Sequence, residues 1–129
     1  MINVTATNIF NAPFMNLKEI INNADSSIPV KPVYSIKFDV PVYILEISIT
    51  KQDNDVYELF VKIGCVAGTV KKSKQMAQKI MDALIDSSDT LEDYNMIQMG
   101  RIESRRYIVI KSEASRQYVE ELNVKYAVI

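Results

Sequence analysis

The chain has 129 residues, 48% of them hydrophobic and 24% charged, a length and balance that support one folded core and exclude a disordered polymer. Fifteen basic side chains against sixteen acidic ones leave a net charge of −1, so no global field draws the chain to nucleic acid or anionic lipid. Histidine is absent and cysteine occurs once, which removes the usual neutral-pH base, the histidine-dependent triads, thiolate metal clusters and any intrachain disulfide.

Met1 to Asn11 carries no clear period, as expected of a segment that is ordered when something docks on it. From Ala12 to Ala24 the apolar positions Phe14, Leu17, Ile20 and Ile21 recur at helical spacing, with Pro13 suited to a first turn. Pro29, Pro32 and Pro41 then bracket an extended stretch, because proline disfavours helix for itself and for the residue before it. Val42 to Thr50 alternates, placing Tyr43, Leu45, Ile47 and Ile49 on one face and Glu46, Ser48 and Thr50 on the other. The polar run Lys51-Gln52-Asp53-Asn54-Asp55 reads as a turn. Val56 to Val66 alternates again, with Tyr57, Leu59, Val61, Ile63 and Cys65 against Glu58, Phe60, Lys62 and Gly64, so the two runs pair as an antiparallel hairpin.

After Ala67-Gly68 the period changes from two to about 3.6. Ser73, Met76, Ala77, Ile80, Met81, Leu84 and Ile85 form one stripe of a helix from Thr69 to Asp86, leaving Lys71, Lys72, Lys74 and Lys79 mostly outside it. Ser87 to Asn95 reads as an irregular loop. Three strands follow, Met96 to Glu103, Arg106 to Lys111 and Tyr118 to Val128, with Ser112 to Gln117 as the turn between the last two. No repeat or linker divides the chain. The expected architecture is a single α+β domain over 1–129, an antiparallel sheet of four to five strands with two helices packed on one face, and 1–11 as a docking arm. No apolar run reaches the roughly 20 residues of a membrane span, and Met1-Ile2-Asn3-Val4 lacks a secretory plan, so use in the cytoplasm is expected.

The residue types leave little room for chemistry. Three glycines, Gly64, Gly68 and Gly100, make neither a dinucleotide loop nor a phosphate loop. Glu46 and Glu58 face each other across the first hairpin as a conceivable acid and base, although carboxylates on a half-exposed sheet face are more often solvated. Glu120-Glu121 and Asp53-Asn54-Asp55 lack the spaced oxygen ligands of a calcium loop. No catalytic, cofactor-binding or metal-ligating residue is assigned.

Charged clusters remain as partner-contact candidates. Lys71, Lys72 and Lys74 open the main helix, where positive charge opposes the helix dipole, so a phosphate or an acidic partner would offset them; a solvated helix end is the plainer alternative. Arg101, Arg105 and Arg106, with Tyr107, have the charge and stacking face of a nucleic-acid contact, but Glu103 and Glu113 stand near enough in sequence to neutralise them. Seven tyrosines, an interface-favouring residue, and a closing strand able to leave an edge open hint at assembly. Met15, Met76, Met81, Met96 and Met99 read as core filling, with an adaptable binding surface as the less favoured alternative.

A short helix, the proline-flanked strand Val40-Pro41-Val42-Tyr43-Ile44-Leu45-Glu46-Ile47, the strand Glu58-Leu59-Phe60-Val61-Lys62-Ile63, the helix bearing Ala77-Gln78-Lys79-Ile80-Met81-Asp82-Ala83-Leu84 and the closing hairpin from Arg106 to Ala127 follow one another in order. In that order and pattern, from about Phe14 onward, the chain resembles the tail terminator, or tail-to-head joining, proteins of long-tailed bacteriophages. The resemblance implies a structural virion protein assembled in the host cytoplasm, a homo-oligomeric ring of about six subunits. Such a ring caps the tail tube and joins it to the head connector, with DNA at most passing through its channel and with no cofactor. By topology it also implies that Lys51, Asp53 and Asp55, together with Lys71, Lys72 and Lys74, point toward a ring face or the channel, and that sheet edges join neighbouring subunits. The residues by themselves leave open a small α+β adaptor or regulatory module acting as a monomer or dimer.

Overall fold

A computed structural model describes residues 6–32, 39–53, 56–112 and 115–129, with the side chains of 6–11, 51, 52, 111, 112 and 115 left aside. In chain order it contains α1 (Ala6–Ala24), β1 (Val30–Pro32), β2 (Val42–Asp53), β3 (Val56–Ala67), α2 (Val70–Asp86), α3 (Ser88–Asp93), β4 (Met96–Ser112) and β5 (Ser115–Val128). The strands form one sheet in the order β1-β2-β3-β5-β4. β1 runs parallel to β2, and every other neighbouring pair is antiparallel. The fold is therefore α+β with a mixed five-stranded sheet rather than a purely antiparallel one.

Strand alternation sorts the sheet into two faces. Tyr43, Leu45, Val61, Ile63, Cys65, Leu122, Val124 and Tyr126 line the face that meets Leu17, Ile20 and Ile21 of α1 and Met76, Ala77, Ile80 and Leu84 of α2. Burying a side chain of this size stabilises by about 1.5–3 kcal/mol relative to exposure, so this layer is the main reason the helices stay on the sheet. Val42, Val66 and Val119 form a smaller cluster on the other face, with Ile44 and Val109 beside it.

The helix α2 matches its predicted span because its signals agree. Thr69 caps it, its hydroxyl oxygen accepting the Lys72 N–H at 3.1 Å, and buried Ser73 is satisfied by donating to the Val70 carbonyl at 2.9 Å. Ile85, placed on the buried stripe by spacing, is 55% exposed; Leu84 and Leu91 take the core positions there.

Elsewhere the elements depart from expectation. α1 begins at Ala6 rather than Ala12, so Pro13 stands inside the helix instead of opening it; the ring forgoes one intrahelical hydrogen bond. Met1 to Thr5 lie outside the described residues. The stretch between the proline positions contributes the short strand β1, whose Val30 pairs with Tyr43 and whose Val30 side chain joins the core. Ser87 to Asn95 contains the short helix α3, with Leu91 buried beneath it, and Asn95 takes a left-handed φ of 64° to turn the chain into β4.

The last third holds two strands, not three. β4 is continuous through Ser104 and Arg105, and its two irregularities lie elsewhere, one where the register shifts between Met99 and Glu103 around Gly100 at φ 81° and one between Ile110 and Ser112. A bulge at Gly100 bends the strand without ending it, and only glycine adopts that backbone readily. β5 begins at Ser115, earlier than the predicted Tyr118.

Candidate functional site

The face of the sheet turned away from α1 and α2 carries a hollow at Gly64. Gly64 of β3 pairs with Ile44 of β2 on one side and Glu121 of β5 on the other, and its neighbours along the strand on that face are Lys62 and Val66. With no side chain at Gly64 the row of side chains is interrupted, leaving a hollow of about 250 Å³. Ile44, Val66 and Val119 make its apolar floor, while Glu46, Tyr107 and Glu121 are among its walls.

Glu121 is 7% exposed and held from two directions. It accepts hydrogen bonds from Arg105 Nε and from the Tyr107 hydroxyl, each at 3.2 Å. The Arg105 guanidinium also lies 5.2 Å from the centre of the Tyr107 ring. Burial, with Glu121 alongside, pushes the Tyr107 hydroxyl above its ordinary pKa, so it stays a proton donor.

The next carboxylate, Glu120, points to the opposite face because adjacent strand residues alternate. There it accepts from Arg106 at 3.0 Å. Two consecutive arginines thus meet two consecutive glutamates across the β4–β5 ladder, one pair on each face. Arg105 and Arg106 are therefore paired with Glu121 and Glu120, Glu103 is in none of the ion pairs among the described residues, Glu113 lies outside the described residues, and the arginines expected to cluster are divided between the faces.

A third buried carboxylate, Asp25, accepts from the Tyr43 hydroxyl at 2.8 Å and from Ser27 at 3.0 Å, with Lys79 Nζ 3.9 Å away. It ties the end of α1 to β2 and α2. Cys65 is fully buried, and burial, reinforced by Glu120, pushes its thiol well above the ordinary value, which keeps it out of the reactive thiolate form. Among the described residues no group of three or more His, Cys, Asp or Glu side chains could hold a metal ion.

Glu46 and Glu58 do not face each other. The register sets Glu46 against Lys62, and Glu58 against Lys51 beyond an irregularity between Ile49 and Lys51; Glu58 lies 3.6 Å from Lys125 instead. With Asp53 paired to Val56 the hairpin closes so that Glu46 falls four residues of β3 away from Glu58, a displacement set by the position of the turn and not by the single-residue irregularity.

The remaining candidates separate along the sheet. Lys51 is in β2 by its backbone, Asp53 is exposed at the end of that strand, and Asp55 lies outside the described residues. Lys71, Lys72 and Lys74 are exposed on α2, which leaves the sheet from the opposite end of β3. Arg101 is exposed at the β4 bulge.

A second surface is the outer edge of β4. The strand spans 17 residues at the border of the sheet, and among the described residues only β5 pairs with it. The β4–β5 ladder continues past the last β3 pair, Ala67 with Tyr118, through Val109–Gln117 and Ile110–Arg116 to Ser112–Ser115, so a two-stranded tip projects. Ile108 is 52% and Ile110 67% exposed on it. Among the described residues no helix is long and apolar enough to cross a membrane. No protein-family model matches this chain, and no curated protein matches it significantly.

Proposed function

We propose that this protein is a structural assembly subunit whose β4 edge and projecting β4–β5 tip join it to neighbouring copies, in the manner of a ring-forming phage tail terminator. In that role it caps the tail tube, connects it to the head, and belongs to the virion. The observation that carries the assembly reading is the length of the edge together with the apolar residues toward its two ends: Ile97 and Met99 before the charged stretch Arg101–Arg106, and Ile108 and Ile110 after it, are exposed along a strand that, among the described residues, is paired on one side only, by β5. Such an edge is a template for pairing with another chain and invites aggregation unless something covers it. The order of elements behind the resemblance to tail terminators supports the narrower role. The buried carboxylates support a non-catalytic reading, because Asp25, Glu120 and Glu121 each engage partners within the chain.

Light scattering on the purified chain, followed by negative-stain imaging, tests the proposal. A head-to-tail interface closes into a ring when its rotation permits, so a particle many times the mass of one chain, seen as a ring, is the expected result. A monomer or dimer at every concentration would sink the ring and leave the adaptor reading standing.

A further inference from the structure

We infer that copies of this chain dock head to tail through α2, the lysine-bearing start of the helix in one copy meeting the acidic α2–α3 corner of the next. Charge is segregated along this part of the chain. From Val70 to Met81 there are four lysines and no acidic residue, and from Asp82 to Asp93 five acidic residues and no basic one. Two of these groups are engaged within the chain: Lys79 lies 3.9 Å from Asp25, and Asp82 accepts from Gln78 at 2.9 Å. The others are Lys71, Lys72 and Lys74 at one end and Asp86, Asp89, Glu92 and Asp93 at the other. All are exposed, and none enters an ion pair among the described residues.

The fold does not account for that arrangement. A helix favours acidic side chains at its start and basic ones at its end, yet α2 has neither, so the charges at both ends work against its dipole. Nor do the two groups offset each other inside one chain. At about 1.5 Å per residue, Lys72 and Asp86 stand about 20 Å apart along the axis, roughly twice the distance over which exposed charges act at about 0.1 M salt. Each group therefore calls for the opposite charge from outside, and a second copy presents both. A nucleic acid would match the lysines alone and be repelled by the acidic corner. A copy satisfies both ends by repeating one contact, and because the two patches differ, that contact is heterologous. It uses neither β4 nor the β4–β5 tip, so it stands apart from the edge contact.

The test measures particle mass by sedimentation of the full chain at about 0.1 M salt. Every chain carries Ile108→Ser and Ile110→Ser, which keeps the tip out of the reading and adds no charge. One variant adds Lys71→Glu, Lys72→Glu and Lys74→Glu; a second adds Asp86→Lys, Glu92→Lys and Asp93→Lys, with Asp89 in the first turn of α3 left in place. Thermal midpoints should hold or rise, which separates loss of contact from loss of fold. Each variant alone should associate about tenfold or more weakly than the parent, because its two ends now carry like charge. Mixed in equal amounts, the two should associate as the parent does, and all six changes in one chain should restore self-association. Salt at about 1 M should disperse every such particle. The inference is overturned if the parent stays monomeric at its highest soluble concentration, if either variant alone associates as the parent does, or if the mixture stays dispersed. A dispersed mixture, with the lysine variant also losing affinity for a short DNA duplex, would assign the lysines to nucleic acid instead.

Discussion

Tyr43 and Tyr126 are both fully buried, yet their hydroxyls differ in what they meet. The Tyr43 hydroxyl donates to Asp25, whereas the Tyr126 hydroxyl has no hydrogen-bond partner among the described residues. Tyr43→Phe should therefore cost about 1–3 kcal/mol, because it removes a donor from a buried carboxylate. Tyr126→Phe should be neutral or stabilise by up to about 1 kcal/mol, since it removes a polar group that burial leaves unmatched. Urea denaturation with an unchanged slope measures both. The same burial gives the protein an alkaline limit. Burial raises the Tyr43 phenol, with Asp25 adding to the effect, and burial also raises Tyr126 and Cys65. A group whose pKa is higher in the folded state keeps its proton while the unfolded chain loses it, so its contribution is complete below the unfolded value and declines above it. The ordinary values are 9.0 for the thiol and 10.0 for the phenol. Denaturation midpoints should accordingly be insensitive to these groups through neutral pH and fall steadily above about pH 9. A midpoint that holds constant well beyond the phenol range would show that these side chains are not protected in the folded state.

Among the elements, α2 has a basic opening with no acidic residue in its first turn. Lys71, Lys72 and Lys74 are exposed, so reversing them to glutamate should leave folding intact and improve the interaction with the helix dipole by about 0.3–1 kcal/mol per favourable site. If the chain assembles as proposed, the same triple change should weaken a partner contact in a mixing assay with tail tube or connector proteins. Complex formation equal to that of the unchanged chain would remove α2 from the interface. That helix was legible because cap, period and length agree, and β2 and β3 were legible because a strand with one face in the core must alternate. Shorter features left weaker traces: β1 has three residues beside two prolines, and α3 has six, too few to establish a period. Pro13 reads as a helix opener, which hid the turns of α1 before it. The candidate site was legible only in part. Arg105 and Arg106 pair with Glu121 and Glu120 in a register that shifts between Ile110 and Ser112 before the closing Ser112–Ser115 pair, so the turn position by itself does not give those partners. The hollow was not visible, because alternation lists Gly64 among outward residues without saying that its neighbours leave its space open.

For the molecule as a whole, the two faces and two borders of the sheet differ in how completely they are covered. Helices close one face, the other bears charged pairs around a small apolar centre, and the border at β4 is long, charged in its middle and apolar at its projecting end. If copies join through that border, changing its exposed side chains should alter association without altering the monomer. Ile108 and Ile110 are the residues to change, because at 52% and 67% exposure they contribute little to the chain's own core. Ile108→Lys combined with Ile110→Lys puts adjacent positive charge on the projecting tip, the device by which natural edge strands resist pairing. Monomer stability should shift by less than about 0.5 kcal/mol, as for most surface substitutions. The particle mass from light scattering should fall toward that of one chain, and ring images should disappear. Rings that persist in the double variant would move the subunit contact away from the β4–β5 tip, while a lowered denaturation midpoint with rings intact would assign those isoleucines to folding instead of assembly.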